Sequence, residues 1–69
     1  MKKQFVEVYL KELLINTKGT EVSGLDYFYN KMIGEEFVII YFKNNYRKVV
    51  NVTADSELAI IQDVIRALM

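Results

Sequence analysis

Eight consecutive residues, YFKNNYRK at positions 41 to 48, interleave three basic side chains with three aromatic ones. Single-strand nucleic-acid binders need that mixture, because bases stack on aromatic faces while cations follow the phosphates. On that chemistry, Tyr41, Lys43, Tyr46, Arg47 and Lys48 form a candidate nucleic-acid contact. The whole-chain charge argues the other way. Nine basic and nine acidic residues cancel, and Glu35 and Glu36 occupy the far end of the same segment, so no long-range pull on a polyanion is expected. The same cations also serve to keep a sheet edge soluble, and the aromatics to make cross-strand pairs. Nucleic acid is therefore the secondary expectation.

Carboxylates give the second candidate. Glu35, Glu36, Asp55 and Glu57 could approach one another if the segments around them pair, and paired carboxylates can run acid–base chemistry or hold a hard cation. Their spacing matches no calcium loop, and each has a simpler use, in turn solubility or at a helix start. There is no histidine and no cysteine, which removes the commonest general base, the usual transition-metal ligands, thiolate nucleophiles and disulfides. The three glycines are too dispersed for a phosphate-cradling loop. The expectation is a non-enzymatic protein with no cofactor and no metal.

Hydrophobic residues make up 52% of only 69 positions, rich for a chain with so much surface per residue. That excess must be hidden in folded layers or against another molecule. One domain, residues 1–69, has to supply those layers.

Phe5, Val6, Tyr9, Leu10, Leu13 and Leu14 recur at spacings of three and four and predict a helix over 4–18, with Gly19 past its end and Lys18 at its negative pole. The alternating FVEVYL, 5–10, also reads as a strand, but the helical pattern is longer. EFVIIYFK and YRKVVNVT, joined by Asn44-Asn45, read as a hairpin with a two-residue turn. That turn sets Tyr41 opposite Lys48, Ile39 opposite Val50, and Phe37 opposite Val52. Val38, Ile40, Phe42 and Val49 then share the other face. The first strand of the hairpin is apolar on both faces, as a central strand would be, and needs a second neighbour. GLDYFYN, 24–30, is the candidate. Leu25, Phe28, Tyr29, Met32 and Ile33 fit a helix as well, and the strand is preferred because it completes a three-stranded meander.

The closing helix begins near Asp55, read as its N-cap. Leu58, Ile61, Ile65 and Leu68 form one apolar stripe, and Ile60, Val64 and Ala67 widen it beyond what one neighbouring layer requires. The expected fold is α+β, helix–strand–strand–strand–helix. The spare apolar groups, Val38, Ile40, Phe42 and Val49 of the hairpin and Ile60 and Val64 of the last helix, are the candidate partner-binding residues. The partner would be a second copy of the chain or a host or phage protein.

The hairpin EFVIIYFKNNYRKVV followed by VNVTADSELAIIQDVIRAL resembles small uncharacterised prophage and mobile-element proteins of Gram-positive bacteria. The likeness covers about half the chain and lies in residues that specify fold. It implies neither activity nor ligand, and no site residue comes with it. Lys2 and Lys3 before an apolar stretch resemble a secretion signal, but Glu7, Lys11 and Glu12 interrupt it and no cleavage site follows. The sequon Asn51-Val52-Thr53 is accordingly taken as chance, a cytoplasmic location is expected, and no membrane association is anticipated.

Overall fold

The computed structural model describes residues 2–17 and 21–69, so the expectations placed on Lys18 and Gly19 lie outside the described residues. Its order is helix, three strands, helix, and the sheet is an antiparallel meander with strand order β1-β2-β3: β1, Val22–Asn30; β2, Glu35–Phe42; β3, Arg47–Asn51. Among the described residues no helix is long and apolar enough to cross a membrane.

The N-terminal helix runs over 2–15 in three continuous sections. Lys2–Gln4 and Lys11–Ile15 are α-helical, and Phe5–Leu10 between them is π-helical. In the π section the Lys11 amide donates to the Val6 carbonyl, five residues back. Such bonding winds more residues into each turn than the ordinary 3.6. Positions four apart therefore stay on one line, and Val6, Leu10 and Leu14 are all buried along it. The strand-like alternation of FVEVYL is overridden by this packing.

The β1–β2 loop closes on Gly34, which takes φ +68° and donates its amide to the Asn30 carbonyl at 2.8 Å. Glycine adopts that left-handed conformation without steric cost. The segment 24–30 is thus strand, and its aromatic residues pair with β2: Phe28 with Phe37, Tyr27 with Val38, Leu25 with Ile40.

The β2–β3 hairpin differs from expectation by one residue. Only Asn45 of the Asn pair has positive φ, 69°. Asn45 donates its amide to the Phe42 carbonyl at 3.1 Å, and Phe42 donates to the Tyr46 carbonyl at 2.8 Å. This is a three-residue loop, Lys43 to Asn45, ending in a left-handed residue, rather than a two-residue turn. The register becomes Ile39 with Val49, Val38 with Val50, Ile40 with Lys48 and Tyr41 with Arg47. A one-residue slip moves every side chain of a strand to the other face. Val49 therefore leaves the face of Val38, Ile40 and Phe42 and joins Ile39, while Val50 takes its place.

Both helices cover the same sheet face, the N-terminal one beneath β1 and the C-terminal one beneath β3. The core between them joins Val6, Leu10 and Leu14 to Val22, Leu25, Val38, Ile40 and Val52, and to Ile60 and Val64. The C-terminal helix, Glu57–Leu68, is capped by Ser56, whose Oγ accepts from the Ala59 amide at 3.2 Å; Asp55 lies one residue before the cap. It turns Ile60 and Val64 to the sheet, not the expected Leu58 and Ile65, which are 64% and 42% exposed. Both stripes are apolar, so hydropathy alone does not choose between them.

Candidate functional site

The five hairpin-tip residues do not converge. Tyr41 and Arg47 are cross-strand neighbours on the face without helices. Lys48 points the other way and donates to the Ala67 carbonyl at 2.9 Å, occupying the negative end of the C-terminal helix. Tyr46 tilts against Phe42 with ring centroids 6.4 Å apart, and Lys43 sits in the turn, its amide bonded to the Glu21 carbonyl.

The carboxylates separate by role. Glu36 lies on the helix-covered side and accepts from Tyr27 Oη, from Lys2 Nζ at 3.0 and 3.1 Å, and from the Ala54 amide at 2.8 Å. The Tyr27 bond, then Lys2, then the Ala54 amide hold its carboxyl down at about 2. Burial, followed by the bond to Glu36, pushes the Tyr27 phenol up to about 12. An anion so thoroughly engaged is a weak base, and a phenol so reluctant to ionise is a weak acid near neutral pH. The group instead ties the start of the N-terminal helix, β1, β2 and the approach to the C-terminal helix together.

Glu35 accepts from the Asn51 amide side chain at 3.2 Å, and Glu57 is exposed in the first turn of its helix. Asp55 Oδ2 is buried without a hydrogen-bond partner, and a proton shared with the neighbouring Asp63 carboxyl, followed by burial, holds Asp55 above the usual carboxylate range. Glu7, within the π section, accepts the Tyr27 amide at 2.9 Å and Lys3 Nζ at 3.0 Å, and the amide bond holds it low. It thereby covers a backbone donor of edge strand β1. Among the described residues no group of three or more potential ligands is arranged to hold a metal ion.

The expected partner-binding set is redistributed by the folding. Val38, Ile40, Ile60 and Val64 are fully buried in the core of the single chain, and Phe42 is half-buried beside them. These residues face the chain's own layers and are not surface: both helices pack on the side of β2 that carries Val38, Ile40 and Phe42, and the C-terminal helix turns Ile60 and Val64 towards it. Val49 alone of the set is exposed, at 59%.

Apolar surface instead collects on the face that no helix covers. The register aligns Asp26, Ile39 and Val49 across the three strands, then Phe28, Phe37 and Asn51 in the next row. Gly24, Tyr41 and Arg47 form the row on the other side. Phe28 is 52% exposed at one edge, and Phe37, Ile39 and Tyr41 are half-buried on the central strand, shielded only by their neighbours in the sheet. Tyr41 Oη donates to Asp26 Oδ2 at 2.8 Å, and this bond holds the Tyr41 phenol above its ordinary range.

Sequence reasoning missed Phe28, Phe37 and Ile39 as surface. No sequence signal marked them, because both sides of β2 are apolar; the left-handed Asn45, which closes a three-residue loop, explains only why β3 shifts by one and Val49 lies beside Ile39. A second apolar concavity, about 800 Å³, opens between the helix ends, where Leu13 and Leu14 face Ile65 and Leu68 above Phe42 and Tyr46.

Comparison with known proteins returns no match, from family models, curated proteins or solved structures.

Proposed function

We propose that this protein is a non-enzymatic interaction module that docks another protein surface on the open face of its sheet. One observation carries the reading: Phe28, Phe37, Ile39 and Val49 form a contiguous apolar cluster on a sheet face with no layer over it. Antiparallel sheets commonly leave one face to water, but that face is then usually polar. Here the alternation that would make it so is absent from β2, and a patch of this kind rimmed by Asp26, Arg47 and Asn51 has the composition of a docking surface.

Nucleic acid has less support as the occupant. Among the described residues, Asp26 and Glu35 share the face with a single cation, Arg47, which is less positive charge than a phosphate backbone calls for. A prophage or mobile-element origin fits a small docking protein and stays an expectation.

A photoreactive residue at position 49, compared with one at the exposed helix position Glu12, tests the reading. Protein adducts are expected from position 49, in the purified protein or in extract of the source cell, and not from position 12. Equal or absent labelling from the two positions removes the sheet face as a docking surface.

A further inference from the structure

Resting on that reading, we infer that the occupant of the open face is a second copy of this chain, related by a two-fold axis running parallel to the strands between two facing sheets. The charges on the face choose the occupant. Asp26 lies on edge strand β1 beside Phe28, and Arg47 on edge strand β3 beside Val49, with Phe37 and Ile39 on the central strand between them. Among the described residues Arg47 makes no ion pair. A face with one carboxylate on one edge strand, one guanidinium on the other and apolar side chains across all three strands is complementary to itself once its edges are exchanged.

A two-fold parallel to the strands makes that exchange. It keeps each residue's position along the strand and lays β1 of one copy over β3 of the other, the aligned packing that sheets commonly adopt. Arg47 is level with Gly24, one same-face row from Asp26. Arg47 of the partner subunit thus comes over Gly24. That position has no side chain, and nothing lies within 4 Å of where a Cβ would stand. From there a guanidinium spans the row spacing of roughly 7 Å to Asp26 across sheets about 10 Å apart. The contact occurs twice in the dimer. A two-fold perpendicular to the strands would lay β1 on β1 and β3 on β3, and would form neither ion pair.

The zero net charge leaves no long-range repulsion between copies. Three strands by about four same-face rows present roughly 400 Å² per copy. That is about half of a standard interface, so the dimer is weak, with dissociation in the micromolar to millimolar range.

Sedimentation equilibrium from about 10 µM to about 1 mM decides the matter. The expected result is a weight-average mass rising from monomer toward dimer. Val49→Lys should hold it at monomer. Asp26→Arg and Arg47→Asp should each raise the dissociation constant about tenfold, through loss of the pairs and new like-charge contacts. The double variant D26R/R47D should recover wild-type association, because each copy again supplies both partners. Lys31→Asp, with the same charge change as R47D but in the β1–β2 turn, should leave association unmoved. All these positions are exposed, and circular dichroism verifies that each variant is folded.

A wild-type monomer at the highest concentration overturns the second copy. If position 49 still crosslinks to protein in extract, the docking face itself survives that result. Association unaffected by V49K, or singles without rescue in the double variant, overturns the proposed arrangement. A rise in oligo-dT anisotropy that V49K abolishes overturns it too, by giving the face to a nucleic acid.

Discussion

Each face of the sheet carries one tyrosine bonded to one carboxylate, and the two pairs behave differently. Tyr27 and Glu36 lie on the helix-covered side, where Lys2 and the Ala54 amide also bind the carboxylate; the acid is held at about 2 and the phenol at about 12. Tyr41 and Asp26 make the same bond on the open side, and there the phenol rises with no helix over the pair and with Arg47 beside it opposing the rise. The chemistry of the two groups is the same, so the surrounding layers account for the difference. Where helices complete the second layer, the polar pair becomes part of a lock between four segments. Where no layer exists, it is a local contact on a surface that still has apolar side chains to cover.

The adjacent isoleucines of β2 test this contrast at its largest. Ile40 is fully buried between the helices, and Ile39 lies half-buried on the open face. Ile40→Ala should cost roughly 2–5 kcal/mol in denaturant unfolding, enough to threaten a domain this small, because the cavity forms among Val6, Leu25 and Ile60 where little can collapse. Ile39→Ala should cost about 1 kcal/mol or less in a monomer. Equal costs would mean that the open face is covered within the single chain.

Glu36 is the next largest. Glu36→Gln keeps the shape but removes the anion that Lys2 and Tyr27 address, and should cost roughly 1–3 kcal/mol at neutral pH. Its folded pKa is depressed, about 2 against 4.5. Its contribution is therefore complete above about pH 4.5 and disappears as pH falls toward 2. Wild-type urea midpoints should decline across that window, and the Gln variant should decline distinctly less. Parallel curves would show that the lock carries no net stability.

How far these faces could be read from residue types depends on the element. The element order was legible because β-branched and aromatic runs and a tolerant Asn pair mark the hairpin; for 24–30, which fits helical spacing as well, the need of β2 for a second neighbour decided in favour of strand. The facing was not. β2 is apolar on both sides, and a one-residue slip in β3 only exchanges Lys48 and Val50 on the core side for Arg47, Val49 and Asn51, one cation for another, so hydropathy raises no objection. In the C-terminal helix, Leu58 and Ile65 are as apolar as Ile60 and Val64, and only the position of the N-terminal helix over β1 fixes which stripe meets the sheet. The candidate site suffered most, since its members are defined by facing. Val49 was found, while Phe28, Phe37 and Ile39 were assigned no surface role. The π section was likewise invisible, because 6, 10 and 14 also fit an ordinary helix locally.

A carboxyl with the opposite sign sharpens the covered side further. Asp55 is raised above 3.8 by the proton it can share with Asp63, so its favourable contribution is complete below about pH 3.8 and is lost as pH rises through its folded value. Above that value the two carboxylates repel. Asp55→Asn should therefore stabilise the protein at neutral pH by roughly 0.5 kcal/mol, a small rise in thermal midpoint. The gain should vanish near pH 3, where wild-type Asp55 is itself protonated. A loss at neutral pH would mean that Asp55 acts as an anion beside the helix start.

The smallest expected effect belongs to Tyr41→Phe. Its hydroxyl bonds a carboxylate that water can solvate equally well, so deleting it should leave the unfolding midpoint within measurement scatter. Tyr27→Phe removes the same atom from the covered pair and strips Glu36 of the bond that most lowers its pKa, and it should show a clear loss. Alkaline spectrophotometric titration separates the two hydroxyls independently. The tyrosine ionising last, at about 12, should disappear from the curve in Tyr27→Phe and persist in Tyr41→Phe. If both variants lose equal stability, the open face holds its side chains as firmly as the covered one, and the absence of a second layer has no energetic meaning.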